Sequence, residues 1–359
     1  MKFFLSSILI FTTLTVSAQR VVPFLDFNHY FKTFSNGYFR QIEIQPIKDF
    51  KYGDNVVAYV DMRENLRVYD GKKGVNVANI NAEYQVSDNL MTWKIGETLN
   101  MWDEGHLQTL TYYGNRYEVK DSIIVFEDTR FNSINVYYKG NVKQLVSGFG
   151  DLEWPVLVGQ NICVFKDNGD FYKIFWRGKI YDVMSWNRDI AFAGETDIVC
   201  FNDPMNGTFT MFENGQLIDV EMYNVPDFKA SAGSIMYTDL SGNLKIYQKG
   251  KLETVSNFQP DFYETTDSIM VWGENNTFYT YWEGKKTQIV RYIPEEYSMK
   301  NRTLVFKNLM GGLTCFNPDG TKELTNLQDA KYTIHGNGVL VELFNRSFLY
   351  YVHGKTYTQ

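Results

Sequence analysis

Chemistry in this 359-residue chain would have to come from carboxylates and tryptophans, because the usual catalytic and metal-ligating sets are missing. The four histidines, His29, His106, His335 and His353, form neither a His-x-His nor a His-Glu-x-x-His arrangement. No cysteine pair stands at zinc spacing, so no metal and no cofactor is expected. Asp167-Asn168-Gly169-Asp170 and Asp203-Pro204-Met205-Asn206-Gly207 gather hard oxygen donors, which raises the question of calcium. Neither carries the alternating donors and terminal bidentate glutamate of an EF-type loop. Asp and Asn recur at the same place along the chain, so ordinary turn chemistry accounts for both segments. No Gly-x-Ser-x-Gly elbow and no glycine-rich phosphate loop occurs. Acid–base work by two distant carboxylates leaves no local motif, and 42 acidic residues do not single out a pair. The catalytic residues, if there are any, are therefore unknown.

The elements that must position these groups announce themselves by repetition. Gly37, Gly71, Gly105, Gly140, Gly178, Gly215, Gly250, Gly284, Gly320 and Gly354 are spaced by 34 to 38 residues, each two to four positions after an aromatic residue. A second register, Tyr59, Trp93, Phe126, Phe165, Phe201, Tyr237, Trp272 and Phe306, closes short apolar runs. Two positions on comes a short polar residue such as Asp61, Asp128, Asp167, Asp203 or Asp239. Short β-branched and aromatic runs bounded by Asp, Asn and Gly are strand signals, and self-similarity at this period means a repeat architecture.

One unit reads as four strands: Arg116 to Val119 (A), Ser122 to Phe126 (B), Ile134 to Tyr138 (C) and Val142 to Val146 (D). No inter-glycine segment keeps a 3.6-residue period, which excludes tetratricopeptide and ankyrin repeats, and the leucine ladder of leucine-rich repeats is absent. A four-stranded unit repeated many times predicts an all-β fold, a closed β-propeller. The unit resembles the WD-repeat layout, with an Asp in the turn after strand B and an aromatic at the end of strand C. Trp102-Asp103 even reproduces the dipeptide once. The Gly-His opening of that family and the double glycine of kelch blades are absent, so the resemblance implies the fold and no activity.

Eight units are complete between Phe50 and Leu327. Before them, Phe31 to Phe34 and Tyr38 to Ile44 read as strands C and D alone. After them, Tyr332 to Ile334, Val339 to Phe344 and Phe348 to Val352 read as A, B and C, with Lys355 to Gln359 left over. Lending the N-terminal strand to the last blade gives nine blades, and a degenerate end gives eight.

Residues 1–18 read as a secretory signal: Lys2, an apolar stretch from Phe3 to Val16, then Val16-Ser17-Ala18 as a cleavage site. Residues 19–359 would then be a single propeller domain, exported to the periplasm or beyond the cell and expected to be a monomer. No segment suits a membrane span. A formal net charge of −7 argues against nucleic acid or an anionic membrane as partner. Cys163, Cys200 and Cys315 fall within strands and read as buried apolar side chains.

A rigid scaffold without catalytic motifs points to a binding or scaffold module for a protein or carbohydrate at one end face. A glycan-active hydrolase or lyase with acids drawn from several blades is the alternative. The repeat departs most from its period around residues 148–192. Trp154 and Trp186 fall there in D–A connections, with Asp151, Glu153, Arg188 and Asp189 beside them. The tryptophans offer flat contact and the charged groups orientation, as a sugar ring or a partner's side chain would need, although packing between blades is the favoured account of both tryptophans, since large aromatics are usually buried.

Overall fold

A computed structural model of the chain describes residues 21–35, 37–185 and 188–359; the expected signal segment and Trp186 lie outside them. Strands build ten antiparallel up-and-down sheets. Numbered along the chain, blades 1 to 10 span residues 22–43, 47–78, 83–111, 114–147, 157–185, 192–221, 227–256, 262–290, 297–325 and 331–358. Blade 4 is Gly114–Val119, Ile123–Asp128, Ser133–Tyr138 and Asn141–Ser147, which matches the four-strand unit read from the sequence.

The blade count corrects the expectation of eight or nine. Val22–Leu25, Phe31–Ser35 and Tyr38–Glu43 form a three-stranded sheet of their own. By register these are strands B, C and D, so among the described residues blade 1 has no strand A. At the other end Lys355–Thr358 pairs with Phe348–Val352 and gives blade 10 its own strand D. No strand is lent between the two sheets. They meet through side chains instead: Phe24 packs 4.5 Å from Phe348, and Phe34 lies 4.6 Å from Tyr350. Four residues suffice for an outer strand, which is why the C-terminal remainder was enough.

The core lies between sheets. All eight strand-B aromatics of the second register are buried, and so are Trp102, Tyr137, Phe175 and Phe212 in strand C. One cluster joins blades 4 and 5 through Val125, Ile134, Phe165 and Phe175, and others repeat the arrangement around the molecule. Cys163, Cys200 and Cys315 are unpaired and buried, the strand-packing role expected of them. Tyrosines add polar links between neighbouring blades. Tyr84 donates to Asp49 at 2.8 Å and Tyr297 to Glu264 at 2.8 Å, each from one strand A to the strand A before it. Among the described residues no helix is long and apolar enough to cross a membrane.

The periodic glycines sit in the C–D hairpins. Lys249 and Gly250 have φ of 51° and 77°, and Lys139–Gly140, Arg177–Gly178 and Asn214–Gly215 repeat the pair. Positive φ at both central residues is the type I′ turn, whose twist matches that of the strands it joins. Glycine adopts this conformation freely, whereas lysine or arginine at the first position is strained. No atom lies within 4 Å of a Cβ placed on Gly250, so replacement there reports backbone strain alone. Gly250→Ala should destabilise the protein by about 1 kcal/mol, and Lys249→Asn should stabilise it by a few tenths, measured by chemical denaturation. Equal stability of all three proteins would show that these turns do not hold the positive-φ pair.

Candidate functional site

Acids converge at one place, the A–B turns, where the innermost strands of successive blades come together. Asp54 N–H donates to Asp88 Oδ1 at 3.0 Å, Asp88 N–H to Asp121 Oδ1 at 3.0 Å, and Asp121 N–H to Gln160 Oε1 at 3.1 Å. Gln160 binds Glu195 through both backbone and side chain, and Gly233 N–H donates to the Thr196 carbonyl. Ser231 reaches the Asp267 carbonyl, Asn301 N–H donates to Asp267 Oδ2, and the Asn301 amide donates to the Gly336 carbonyl. Gly336 N–H then donates to Asp54 Oδ1 at 3.0 Å, which brings the chain of bonds back to its start. Among the described residues blade 1 has no strand A, and blade 10 meets blade 2 directly at this level. Backbones come so close that a Cβ on Gly53 would lie 2.0 Å from the Ser87 carbonyl oxygen, and one on Gly159 2.4 Å from that of Glu195.

One lysine pairs with two of the hub acids. Lys300 Nζ lies 2.8 Å from Asp54 Oδ1 and 3.0 Å from Asp88 Oδ1. Burial opposes the Asp54 charge, but Lys300, the Gly336 N–H and the Asn301 amide outweigh it and hold that carboxyl below its usual range. At Asp121 the Asp88 N–H and the more remote Lys300 charge do not offset burial. Burial, with the Asp88 and Asp267 carboxylates behind it, pushes its pKa up to about 7. Burial likewise raises Glu195 and Asp267, each with help from neighbouring carboxylates. His335, packed on Tyr52 at 4.7 Å, is pushed down to about 3 by burial and is neutral.

These positions repeat: Asp54, Asp88, Asp121, Gln160, Glu195, Ala232, Asp267, Asn301 and Gly336 recur 33 to 39 residues apart. Sequence reading missed this register because no residue type recurs in it: acids and amides cap neighbouring turns at most positions, and the turns at Ala232 and Gly336 are joined through backbone groups. The hub can share protons and carry charge, but its carboxylates are occupied with backbone N–H groups.

The residues singled out around 148–192 are partly assembled. Lys166 gathers Glu153 at 3.8 Å and Asp189 at 3.1 Å from the connections on either side of blade 5. Asp151 and Glu153 line a cavity of about 460 Å³ with Lys166, Asp167, Asn168 and Asp170. Arg188 is exposed, and its carbonyl accepts from Tyr172 Oη at 3.0 Å. Trp154 is not in that cavity lining. It lies half-buried against the core of blades 4 and 5, with the Arg116 guanidinium 5.2 Å from its ring. The aspartates of the B–C turns do what turn chemistry requires. Asp61, Asp167 and Asp239 each accept the N–H groups two and four residues on. Among the described residues no acid, histidine or cysteine cluster has the form of a metal site.

Exposed large apolar side chains segregate to the end of the molecule that carries the B–C turns and D–A connections. Phe27, Met62, Ile95, Phe131, Phe171, Met205, Leu240, Leu309 and Phe344 mark the B–C turns of every blade but the eighth. Ile44, Ile80, Tyr112, Phe149, Met222, Phe258 and Leu327 mark the connections. Among the described residues the exceptions are Tyr38, Leu107, Val142, Leu217, Ile218 and Leu252, in the opening positions of outer strands D beside the C–D hairpins. Scattered surface apolar groups are ordinary; so strong a bias to one end is not.

Ten sheets around a shared hub agree with the family comparison. Residues 15–357 match the model of the 10-bladed beta propeller domain. The chain belongs to that family. No curated protein matches this ten-bladed propeller. Solved structures similar to it include the computationally designed Ika8 protein, at 16% identity and a TM-score of 0.32 over 74% of this chain and 93% of the other. Prp20p from Saccharomyces cerevisiae shows 10% identity and 0.31 over 56% and 71%. The CRINKLY WD40 ectodomain of the Arabidopsis thaliana receptor kinase ACR4 shows 11% identity and 0.29 over 76% and 95%. Values this low carry no argument about what the ten-bladed propeller does.

The hub of the propeller makes a pH prediction. An acid whose pKa is raised on folding contributes most at low pH, and that contribution is lost as pH rises through the folded value. Asp121, pushed up to about 7, should therefore erode stability between about pH 4 and pH 7. Asn at this position keeps an acceptor for the Asp88 N–H and carries no charge. Asp121→Asn should match the parent near pH 4.5 and exceed it at pH 8 by about 1–2 kcal/mol, after allowance for solvent screening. Urea titrations at the two pH values measure this. A variant less stable at pH 8 would mean that the hub uses Asp121 as an anion.

Proposed function

We propose that this propeller is an exported, non-catalytic binding module, a single rigid ring that offers its B–C/D–A end face to a protein partner. The observation that carries the reading is the segregation of exposed apolar residues to that end. Phe131, Met205 and Met310 each donate their backbone N–H to the Asp or Asn side chain that opens their turn, so their exposure is built into the scaffold and costs little further ordering on binding. Centrally placed aromatic tips of this kind supply most of the energy of protein interfaces. A carbohydrate ligand finds its support in the 460 Å³ cavity beside the exposed Phe149, where Asp151, Glu153, Asn168 and Asp170 offer hydrogen-bond acceptors. The glycan-hydrolase alternative needs acids free to face a substrate. The hub carboxylates are instead repeat members bonded to neighbouring turns, and this weighs against it.

Two measurements check the reading. Cross-linking in the native host followed by capture should recover a partner with the parent protein. Phe131→Ser and Phe149→Ser should each weaken that capture about tenfold, whereas Lys139→Ser and His353→Ser at the opposite end should leave it unchanged. Equal loss with both pairs, or glycan cleavage that disappears in Asp121→Asn, would overturn it. For export, N-terminal sequencing of the exported protein should begin at Gln19, and retention of Met1 would refute cleavage.

A further inference from the structure

Among the described residues nine sheets have an innermost strand A, and blade 1 has a groove in its place. The groove is a cavity of about 920 Å³ walled by Phe24, Leu25, Phe50, Tyr52, Tyr332 and Phe348, with blade 10 on one side and blade 2 on the other. Its back is the inner edge of Val22–Leu25, and Tyr52 stacked on His335 lies towards the hub. The edge is open in a defined way. Asp26 N–H donates to the Tyr30 carbonyl, which continues the ladder in which Phe24 pairs with Lys32 and Val22 with Phe34. Alternation then turns the backbone groups of Pro23 and Leu25 toward the groove. In blade 10 the corresponding residues, Leu340 and Glu342, pair with Thr333 and Lys331 of strand A. In blade 1 the Leu25 N–H and the carbonyls of Pro23 and Leu25 have no strand to pair with among the described residues.

We infer that this groove receives an extended segment of a partner polypeptide, which adds to Val22–Leu25 as the missing antiparallel strand. The inference rests on the end-face reading above and names how the partner would be held. Three features select such an occupant. The edge offers main-chain donors and acceptors at strand spacing, the recognition mode of strand addition. Apolar walls flank it on both sides, Phe24 and Phe348 toward blade 10 and Phe50 and Tyr52 toward blade 2, so alternate side chains of an inserted strand would each meet an apolar surface. Third, cleavage after Ala18 would leave Gln19 and Arg20 before Val21, too few to turn and run back as a strand, since the A–B turn of blade 2 alone takes residues 53–56. Pro23 removes one donor from the edge and so discourages indiscriminate sheet pairing, while Leu25 keeps its own.

The test uses the purified exported protein and fluorescent, capped peptides copying this chain's own strands A, including residues 330–336. At least one should bind saturably by anisotropy. N-methylation of the alternate amides that face Pro23 and Leu25 should weaken it at least tenfold, and methylation of the intervening amides should not. Leu25→Pro, which removes the remaining edge donor, should weaken binding to the same extent with an unchanged melting temperature. Phe131→Ser should leave peptide binding intact, so loss of the end-face reading and loss of this one are separable. No binding by any peptide, equal effects at all methylated positions, or binding only to chains freed of residues 1–18 when the exported form retains them would each overturn the inference.

Discussion

Everything in this molecule is arranged around the need to satisfy backbone N–H groups where the innermost turns crowd together. A buried amide without an acceptor costs about 1–3 kcal/mol, and such turns have no sheet ladder to supply one. The chain answers with acceptor side chains from neighbouring turns, and with backbone carbonyls at Gln160 and Gly233. Asp88 serves Asp54, Asp121 serves Asp88, and Gln160 serves Asp121. Acids gather at the hub because carboxylates accept strongly, and a charge conflict follows. Asp54 and Asp88 share Lys300, while Asp121, Glu195 and Asp267 face one another with too little positive charge. The hub carboxylates are committed to their own backbone, which is why the proposed binding face is placed on the outer turns.

Those outer turns use the same chemistry differently. A B–C aspartate accepts N–H groups two and four residues on and so locks a short loop whose tip must face solvent. An apolar residue at that tip cannot retreat into the core. Repetition around the ring turns a local device into a face, and among the described residues blade 1 leaves a groove between blades 10 and 2 where a strand A would lie. Fixed tips and this groove are the features on which the proposed binding role rests.

Features that recur with a fixed residue type were legible in the sequence. The C–D glycines follow from positive φ, and the strand-B aromatics follow from packing between blades. Blade 1 was read without its strand B because Pro23 interrupts a four-residue run. Yet Phe24 and Asp26 stand 35 residues before Tyr59 and Asp61 and carry the same pattern. The hub register was invisible because Asp, Gln, Glu, Asn and even Gly fill it. Among the proposed site residues, Glu153 and Asp189 come together through Lys166, an association between two connections that no local spacing encodes. Trp154 went to the inter-blade core, where an indole flanked by a strand and Arg116 finds more contact than at the surface.

Native-state hydrogen exchange at the A–B turns tests the central claim most directly, since it reads the hub bonds one amide at a time. If the hub holds the ring as one unit, the amides of Asp54, Asp88, Asp121 and Gly336 should exchange only through global unfolding, with a common free energy and a common dependence on denaturant. Early, denaturant-independent exchange at Gly336 and Asp54, with protection retained at Asp88 and Asp121, would contradict the account. It would show the ring parting between blades 10 and 2.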